Sequence, residues 1–199
     1  MHLLRRLYNW VLHWADTPYG TPALALISFA ESSFFPIPPD VLQIALSASR
    51  PKRSFFYALI SAVGSVAGAV FGWFIGYTLW ATASGFFYTY VPGITPESVA
   101  YVGELYHDNA ALALFGAAFT PIPFKVFTIA AGVFSEYVSL QTLIIMSIIG
   151  RSLRFFLVAT CMYFFGPAMK GFIEKYFEIV TFALFLLIVL GFVAIKYAV

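Results

Sequence analysis

Residues 34–45 read FFPIPPDVLQIA, and this stretch decides how the apolar sequence around it can fold. Its three prolines, Pro36, Pro38 and Pro39, remove backbone N–H donors and bias the residues before them away from helical angles. The stretch also carries a charge, Asp40, inside a segment where charge is costly. We therefore expect two helical arms that meet at a proline-rich tip instead of one continuous helix.

The same stretch occurs a second time in the chain. Residues 119–130 read FTPIPFKVFTIA and match it at a constant offset (125 − 40 = 85), with identity at 7 of 12 positions. The second copy has Pro121 and Pro123 at its tip, and Lys125 stands where the first copy has Asp40. The repetition predicts two related halves, each built around a broken hairpin.

The composition is that of a membrane protein. Of the 199 residues, 61% are hydrophobic and 10% are charged, against roughly 45–50% and about 25% in soluble domains. The mean hydropathy is +0.88. These values predict an all-α integral membrane protein in which residues 1–199 form a single membrane domain. The net charge of +2 excludes little, because the placement of charge matters more than its sum in a membrane protein.

Residues that commonly carry catalysis or bind metals are sparse. Cys161 is the only cysteine, so neither an internal disulfide nor a cysteine-based metal site is expected. The three histidines, His2, His13 and His107, are scattered, and no nucleophile motif or phosphate-cradling glycine loop occurs. We therefore expect no enzyme activity, no catalytic residue, no metal, no cofactor and no nucleic-acid partner.

Apolar and polar segments alternate along the chain. They predict repeat 1 (about 20–80), a polar outer loop (81–109), repeat 2 (about 110–166) and a C-terminal transmembrane helix (about 177–196). In each repeat a hairpin precedes a full span, at 55–80 in the first and at 139–166 in the second. With the C-terminal helix, these spans make about three transmembrane helices in all. Each hairpin arm has about 10–14 residues and reaches only the middle of a ~30 Å hydrocarbon core. We expect re-entrant hairpins, with a single kinked transmembrane helix as the competing interpretation.

Two further helices are predicted outside the hairpins. Residues 2–15 have apolar side chains at helical spacing, which indicates an amphipathic helix at the membrane interface or on the protein's own membrane surface. Further along, Thr95 is expected to be an N-cap, Pro96 the first helical residue and Glu97 a first-turn acid. This second helix is expected to end at about Tyr106.

Glycines recur at every fourth position of the first span. They are Gly64, Gly68, Gly72 and Gly76. At this spacing they share one helix face, and small residues allow another backbone to approach closely. Gly150 stands in the second span where Gly64 stands in the first (150 − 64 = 86). We predict that these five glycines are helix-packing positions.

Basic and acidic residues are separated along the chain. The cations expected on the cytoplasmic side are Arg5, Arg6, Arg50, Lys52, Arg53, Lys170 and Lys175. The carboxylates expected outside are Glu97, Glu104, Asp108 and Glu136, and Lys196 near the C-terminus is the one exception to this bias. Because cytoplasmic loops are enriched in Lys and Arg, the N-terminus is predicted to be cytoplasmic. One full span separates the hairpins, so they would enter from opposite faces and face each other, as in the inverted-topology repeats of transporters.

Five ionisable residues fall within apolar segments: Glu31, Asp40, Lys125, Arg151 and Arg154. Unpaired, they would cost on the order of 12–17 kcal/mol on a mild insertion scale, so we expect them to face one another, a cavity or a ligand. Their charges sum to +1, which leaves room for an anionic group such as a phosphate. Asp40 and Lys125 are candidates to pair between the tips. In an alternative interpretation, Glu31–Arg154 and Asp40–Lys125 are ion pairs that only fix the hairpins.

These features together are similar to those of a known family. Glu31, the PIPPD turn at 36–40, the glycine-rich span, the PIPFK turn at 121–125 and a span with central arginines resemble the DedA membrane protein family. The resemblance is to its YqaA-like branch, within the SNARE-associated or VTT-domain superfamily, and covers roughly residues 15–170.

The resemblance implies two facing re-entrant hairpins and the translocation of lipid across the bilayer. By this resemblance, Glu31 and Asp40 correspond to the functional carboxylates of the family. The second hairpin of the family usually has two arginines around an Ile-Pro-Gly turn. This chain departs from that pattern, since its turn is Pro121-Ile122-Pro123 and Lys125 supplies the only cation.

The residues and the resemblance predict a multi-pass lipid transporter of the bacterial inner membrane, of flippase or scramblase type. It would move a phospholipid or a polyprenyl phosphate and support envelope integrity. Lys125, Arg151 and Arg154 would hold the phosphate, and Glu31 and Asp40 would bind a head-group amine or couple the movement to protons. Protons are a candidate coupling ion, and homo-oligomerisation is left open. The alternatives are a proton-coupled transporter of small ions or solutes, and a non-transporting assembly or scaffold protein that holds a partner on its Gly64–Gly76 face.

Overall fold

The computed structural model describes residues 17, 19–35, 38–120 and 122–166. Of these residues 86% are helical, and none of them forms a strand. The prediction of an all-helical chain is therefore confirmed for this part of the sequence. Some predicted features lie outside the described residues: the helix at 2–15, the tip residues Pro36 and Pro121, and the helix at 177–196.

The described helices follow one another with short connections. They are α1 (Gly20–Ser33), α2 (Pro39–Ser49), a 3-10 turn (Pro51–Arg53), α3 (Ser54–Phe74), a π-helical segment (Ile75–Leu79), α4 (Trp80–Tyr90), α5 (Pro96–Phe119), α6 (Phe124–Val133) and α7 (Leu140–Gly166).

The first proline-rich stretch separates two helices that fold back on each other. Pro38 has extended backbone angles (φ −65°, ψ 122°), and Pro39 begins α2, where a missing N–H leaves no hydrogen bond unmade. Leu24, near the start of α1, belongs to the same buried cluster as Leu46, near the end of α2. In one continuous helix these two residues would lie roughly 33 Å apart. The arms α1 and α2 therefore form a helical hairpin, which excludes a single kinked helix.

The second proline-rich stretch separates α5 from α6, and these helices also form a hairpin. The buried phenol of Tyr106 donates a hydrogen bond to the carbonyl oxygen of Phe127 at 2.6 Å. Gly103, one turn earlier in α5, packs against the ring of Phe134, which directly follows α6. An earlier residue of α5 thus contacts a later residue of the returning arm, as antiparallel arms require.

The start of α5 agrees with the sequence. Thr95 Oγ1 accepts a hydrogen bond from the Ser98 amide at 3.1 Å, and Ser98 Oγ accepts one from the Thr95 amide at 2.8 Å. Pro96 is the first helical residue, so the predicted N-cap is confirmed. Hydrogen bonds to the exposed Glu97 carboxylate, first from its own backbone amide and then from Thr95, lower the pKa of Glu97.

The first segment of α5 ends at Asn109, close to the predicted end at about Tyr106, and a second segment continues from there to Phe119. Asn109 has non-helical angles (φ −160°, ψ 86°), and two helical segments meet there in a kink. Its Oδ1 accepts a hydrogen bond from the Leu112 amide at 3.0 Å. Asn109 thus acts as an N-cap for the second segment, so the chain enters the hairpin arm without an intervening loop.

Two of the described helices are long and apolar enough to cross a membrane, judged by length and composition. Pro51–Tyr90 is one continuous helix of 40 residues, and its most apolar window has a mean hydropathy of 1.9. Leu140–Gly166 has 27 residues and a corresponding mean hydropathy of 1.7. The second helix agrees with the predicted span at 139–166. The first extends beyond the predicted span at 55–80 into the segment expected to be a polar loop.

Four glycines form one face of α3 and of the π-helical segment that continues it. A Cβ atom at Gly64 or Gly68 would overlap the backbone of α1, and one at Gly72 or Gly76 would overlap atoms of α6. Gly150, on α7, is packed in the same way against the end of α5. The helix α3, with its π-helical continuation, therefore holds an arm of each hairpin at a distance that leaves no room for a side chain.

Candidate functional site

The two arginines of α7 bind the two carboxylates of the first hairpin. Arg154 makes a two-pronged contact with Asp40, with Nε donating to Oδ1 at 3.1 Å and Nη2 donating to Oδ2 at 2.7 Å. Arg154 Nη1 also donates to the carbonyl oxygen of Thr120 at 2.5 Å. Asp40 lies in the first turn of α2, and Thr120 ends α5. Arg154 therefore connects the tips of both hairpins.

Arg151 is more deeply buried than Arg154. It is 1% exposed, and its Nη2 donates to Glu31 Oε2. The guanidinium carbon lies 5.0 Å from the ring centroid of Phe124 and 4.9 Å from that of Phe155. A guanidinium between two aromatic rings is held by cation–π attraction on both sides. Arg151 thus holds the Glu31 carboxylate in a fixed place.

Two serines complete the contacts of Arg151. Ser65 Oγ, on α3, accepts a hydrogen bond from Arg151 Nε at 2.5 Å and lies 2.6 Å from Ser32 Oγ. Ser32 Oγ donates in turn to Glu31 Oε2 at 3.1 Å. The cluster joins α1, α3 and α7, and it satisfies polar groups that would otherwise be costly to bury.

The predicted ion pairs are wrong, although the five residues do gather in one region. Glu31 pairs with Arg151 instead of Arg154, and Asp40 pairs with Arg154 instead of Lys125. The two arginines are three residues apart on one helix, so a single packing position of α7 brings both to the first hairpin. The planar guanidinium of Arg154 matches both oxygens of Asp40, which a lysine ammonium cannot do.

Lys125 is left as a buried cation. It is the second residue of α6 and is 2% exposed, and its Nζ has no hydrogen-bond partner among the described residues. Glu31 attracts it without forming an ion pair. An ammonium near a helix N-terminus also meets the positive end of the helix dipole. The described part of the chain therefore leaves this positive charge without direct neutralisation.

A cavity of about 630 Å³ lies between the hairpin tips. Four of the five ionisable residues line it, all except Arg151. The full lining is Glu31, Phe35, Pro38, Asp40, Val41, Ile44, Pro92, Gly93, Phe119, Ile122, Pro123, Lys125, Arg154 and Val158. Its volume falls within the ~300–1,000 Å³ of small-molecule sites. Such a cavity, with converging charges and apolar walls, can hold a small anion or an anionic head group.

Several contributors to the site were not identified from the sequence. Ser32 follows Glu31 near the end of a mostly apolar helix, and that polar pair could have indicated it. Ser65 adjoins Gly64 on the packing helix, but nothing in its surroundings indicates an arginine partner. Thr120 contributes a backbone carbonyl, which a residue type does not reveal. Among the described residues, no three His, Cys, Asp or Glu side chains are grouped closely enough to hold a metal ion.

Two curated proteins are similar to this chain over nearly its whole length. One is an uncharacterized protein of Haemophilus influenzae, 30% identical over 201 residues that cover 98% of this chain and 100% of the relative. The other, named "Uncharacterized protein HI0703 homolog", is from Histophilus somni and is 28% identical over 205 residues, which cover 98% of this chain and 100% of that protein. No family model matches the chain. No solved structure matches it either.

Proposed function

Because the chain belongs to the same family as the uncharacterized Haemophilus influenzae protein, whose name states no activity, we propose its function from the site itself. The protein is a membrane lipid transporter of flippase or scramblase type. It binds the phosphate of a phospholipid or polyprenyl phosphate in the charged cavity between its hairpin tips. The likeness of the two proline turns to those of the DedA family supports this assignment, and we propose membership of that family with it.

The observation that carries the proposal is the buried ammonium of Lys125. Each carboxylate of the cluster already has an arginine, Glu31 with Arg151 and Asp40 with Arg154. The remaining charge of the cluster is therefore that of Lys125, which lines the cavity. A buried charge is normally paired, because an unpaired one costs several kcal/mol. An anionic group in the cavity would supply the missing partner.

The outer surface of the protein supports a membrane setting. Large apolar side chains point outward from both long helices, including Leu59, Val63 and Phe71 on α3 and Ile145 and Ile148 on α7. In water such a surface would favour aggregation, whereas lipid tails cover it at no cost. We propose that both hairpins are re-entrant, that they enter the bacterial inner membrane from opposite faces, and that the two halves form an inverted repeat.

We assign distinct roles to the two ion pairs. Arg154 lines the cavity, so an incoming phosphate can compete with Asp40 for its guanidinium. Asp40, released from Arg154, is then a candidate proton acceptor, which would couple lipid movement to protons. Arg151 lies outside the cavity lining, and we assign it the positioning of Glu31.

The alternative of a scaffold that holds its partner on the Gly64–Gly76 face is not supported. That face is covered by α1 and α6 of the same chain, at a distance that excludes even a methyl group. A transporter of small ions or solutes could use the same charged cavity, and the experiment below separates it from a lipid transporter.

The test is lipid translocation in proteoliposomes that contain the full chain. A phospholipid labelled on its acyl chain is followed across the bilayer, with and without an imposed proton gradient, for the wild type, Lys125→Gln and the control Lys52→Gln. Lys52 is an exposed cation in the turn before α3. We expect Lys125→Gln to slow translocation about tenfold or more, because a hydrogen bond to a charged group contributes roughly 1.5–3 kcal/mol. Lys52→Gln should behave as the wild type.

The stability of Lys125→Gln separates a binding role from a folding role. Removal of a buried charge that lacks a partner should leave the thermal midpoint unchanged or raise it. Translocation at the wild-type rate in Lys125→Gln would contradict the proposal. Solute flux without lipid movement would favour the ion or solute transporter.

A further inference from the structure

A second cavity, of about 420 Å³, lies between α5 and the start of α6. Its walls are almost entirely apolar, with Leu112, Ala113, Val126 and Phe127 among the lining residues. The lining residues with polar side-chain groups, Ser98, Tyr101, Asp108 and Asn109, belong to the first segment of α5 and to its kink. The cavity therefore follows the second hairpin from its tip toward the kink.

The apolar cavity adjoins the charged one. Three residues line both of them: Gly93, Ile122 and Pro123. These residues lie at the second hairpin tip and in the connection before α5. A ligand that extended past these residues would have its charged end near Lys125 and its apolar end along Leu112.

We propose that the apolar cavity binds a hydrocarbon chain of the same molecule whose phosphate occupies the charged cavity. The ligand class is thereby an anionic amphiphile with at least one alkyl chain, and this inference rests on the proposed function. A hydrophilic phosphate would use the charged cavity alone. Water gains few hydrogen bonds in a cavity lined by apolar groups, so a hydrocarbon chain is the favoured occupant.

Gly116 allows the apolar cavity to be filled without disturbing the packing. It lines the cavity, and a Cβ atom built on it would have no heavy-atom neighbour within 4 Å. Gly116→Leu thus places a side chain in the cavity instead of against the backbone. Gly85, on α4, has equally open surroundings and lines neither cavity, so Gly85→Leu is the matched control.

The experiment uses the full chain in lipid nanodiscs and a dodecyl phosphate that carries a diazirine at the end of its alkyl chain. After photolysis, labelled positions are identified by mass spectrometry. In the wild type we expect label on residues 112–117 and 126–127. A leucine at Gly116 displaces several methylene groups, and each displaced methylene lowers affinity about fourfold, so label at these positions should fall more than about tenfold. Gly85→Leu should be labelled as the wild type is.

Each other result has a defined meaning. Unchanged labelling of residues 112–117 and 126–127 in Gly116→Leu overturns the inference. So does their complete lack of label in the wild type, which is the result expected if residues 1–16 or 167–199 of the chain fill the cavity. Lys125→Gln separates the two proposals. If Lys125→Gln keeps the label on residues 112–117 and 126–127 while Gly116→Leu loses it, the hydrocarbon-binding role of the apolar cavity is supported. The phosphate-binding role of Lys125 is then contradicted.

Discussion

Arg154 is the residue on which the arrangement of the two hairpin tips depends. It donates to the carboxylate of Asp40 in the first hairpin and to the carbonyl of Thr120 in the second. Arg154 is 18% exposed and Asp40 17%, so both charges are largely shielded from solvent and each is the ion-pair partner of the other. A ligand that displaces Asp40 from the Arg154 guanidinium would also change the contact of Arg154 with Thr120 in the second hairpin. The same guanidinium can therefore link ligand binding to the spacing of the tips.

This dependence predicts that Arg154→Gln is less stable than the double variant Asp40→Asn/Arg154→Gln. The single change leaves the carboxylate of Asp40 partly buried without its partner, which costs roughly 3–5 kcal/mol for a fully buried pair and less here. The double variant removes both charges of this pair, so it should recover part of the loss. The measurement is the thermal midpoint of the detergent-solubilised protein.

The control for this comparison is Arg53→Gln, at an exposed cation of the turn before α3. It should change the unfolding free energy by no more than about 0.5 kcal/mol. Equal midpoints for the single and the double variant would show that Asp40 does not need Arg154, and the idea of competition for its guanidinium would be lost.

At the scale of elements, α3 is the helix that brings both hairpins together. Its glycines at 64 and 68 lie against α1, whereas Gly72 lies against α6 and Gly76 continues that contact in the π-helical segment. Close approach allows Thr128 of α6 to donate a hydrogen bond to the Ser32 carbonyl of α1 at 2.8 Å. The spacing of the two arms, and with it the width of the cavity between their tips, depends on these four missing side chains.

We expect Gly68→Ala to destabilise the protein and Gly85→Ala to leave it equally or more stable. A methyl group at Gly68 would overlap the Phe29 carbonyl, which belongs to rigid helix backbone, and overpacking of this kind costs roughly 1–3 kcal/mol. At Gly85 the methyl group is free of neighbours, and alanine is the better helix former by up to about 1 kcal/mol.

The comparison is made by thermal unfolding in detergent, followed by gel filtration. A midpoint for Gly68→Ala at or above that of Gly85→Ala would mean that α1 can move away from α3 at little cost. In that case the glycine face would not set the spacing of the arms.

At the scale of the whole molecule, the basic turn Pro51–Arg53 and the acidic first segment of α5 stand at opposite ends of the long helix Pro51–Tyr90. The turn with Lys52 precedes α3, and Pro51 packs against Gly166 at the end of α7. At the other end, the ring of His107 on α5 contacts Tyr137, between α6 and α7, with ring centroids 5.5 Å apart. This separation agrees with a cytoplasmic basic end and an outer acidic end, as the enrichment of cations in cytoplasmic loops predicts.

The proposed orientation predicts how introduced cysteines react. In a Cys161→Ser background, Glu104→Cys should react with a membrane-impermeant maleimide in spheroplasts, whereas Lys52→Cys should react only after permeabilisation. Both positions are exposed on the protein, so a difference in labelling reports the side of the membrane and not burial. The reverse pattern would invert the proposed topology, and equal labelling of both in intact spheroplasts would exclude a membrane between them.

Local sequence was sufficient for the breaks and packing faces of the fold. Prolines cannot donate in a helix interior, so each proline turn had to break or kink the helix wherever the rest of the chain lay, and the contacts between the arms then showed a hairpin at the first turn. Thr95 and Pro96 specify a helix start for similarly local reasons. A glycine every fourth residue leaves a bare face whatever its partner. The cost of charge in apolar sequence was likewise enough to gather the five ionisable residues as candidates for one site.

Only the tertiary structure decided how those residues pair and what they leave open. Arg154 lies 114 residues from Asp40, and such a separation contains no information on distance once helices pack against each other. Because α7 lies beside the first hairpin, Arg151 pairs with Glu31 and Arg154 pairs with Asp40. Among the residues that the structure describes, this packing leaves Lys125 without a direct partner at the charged cavity. The energetic cost of burying a charge identifies the candidate residues from the sequence. Which of them pair depends on distances of a few ångströms, and only the packing of the helices establishes those distances.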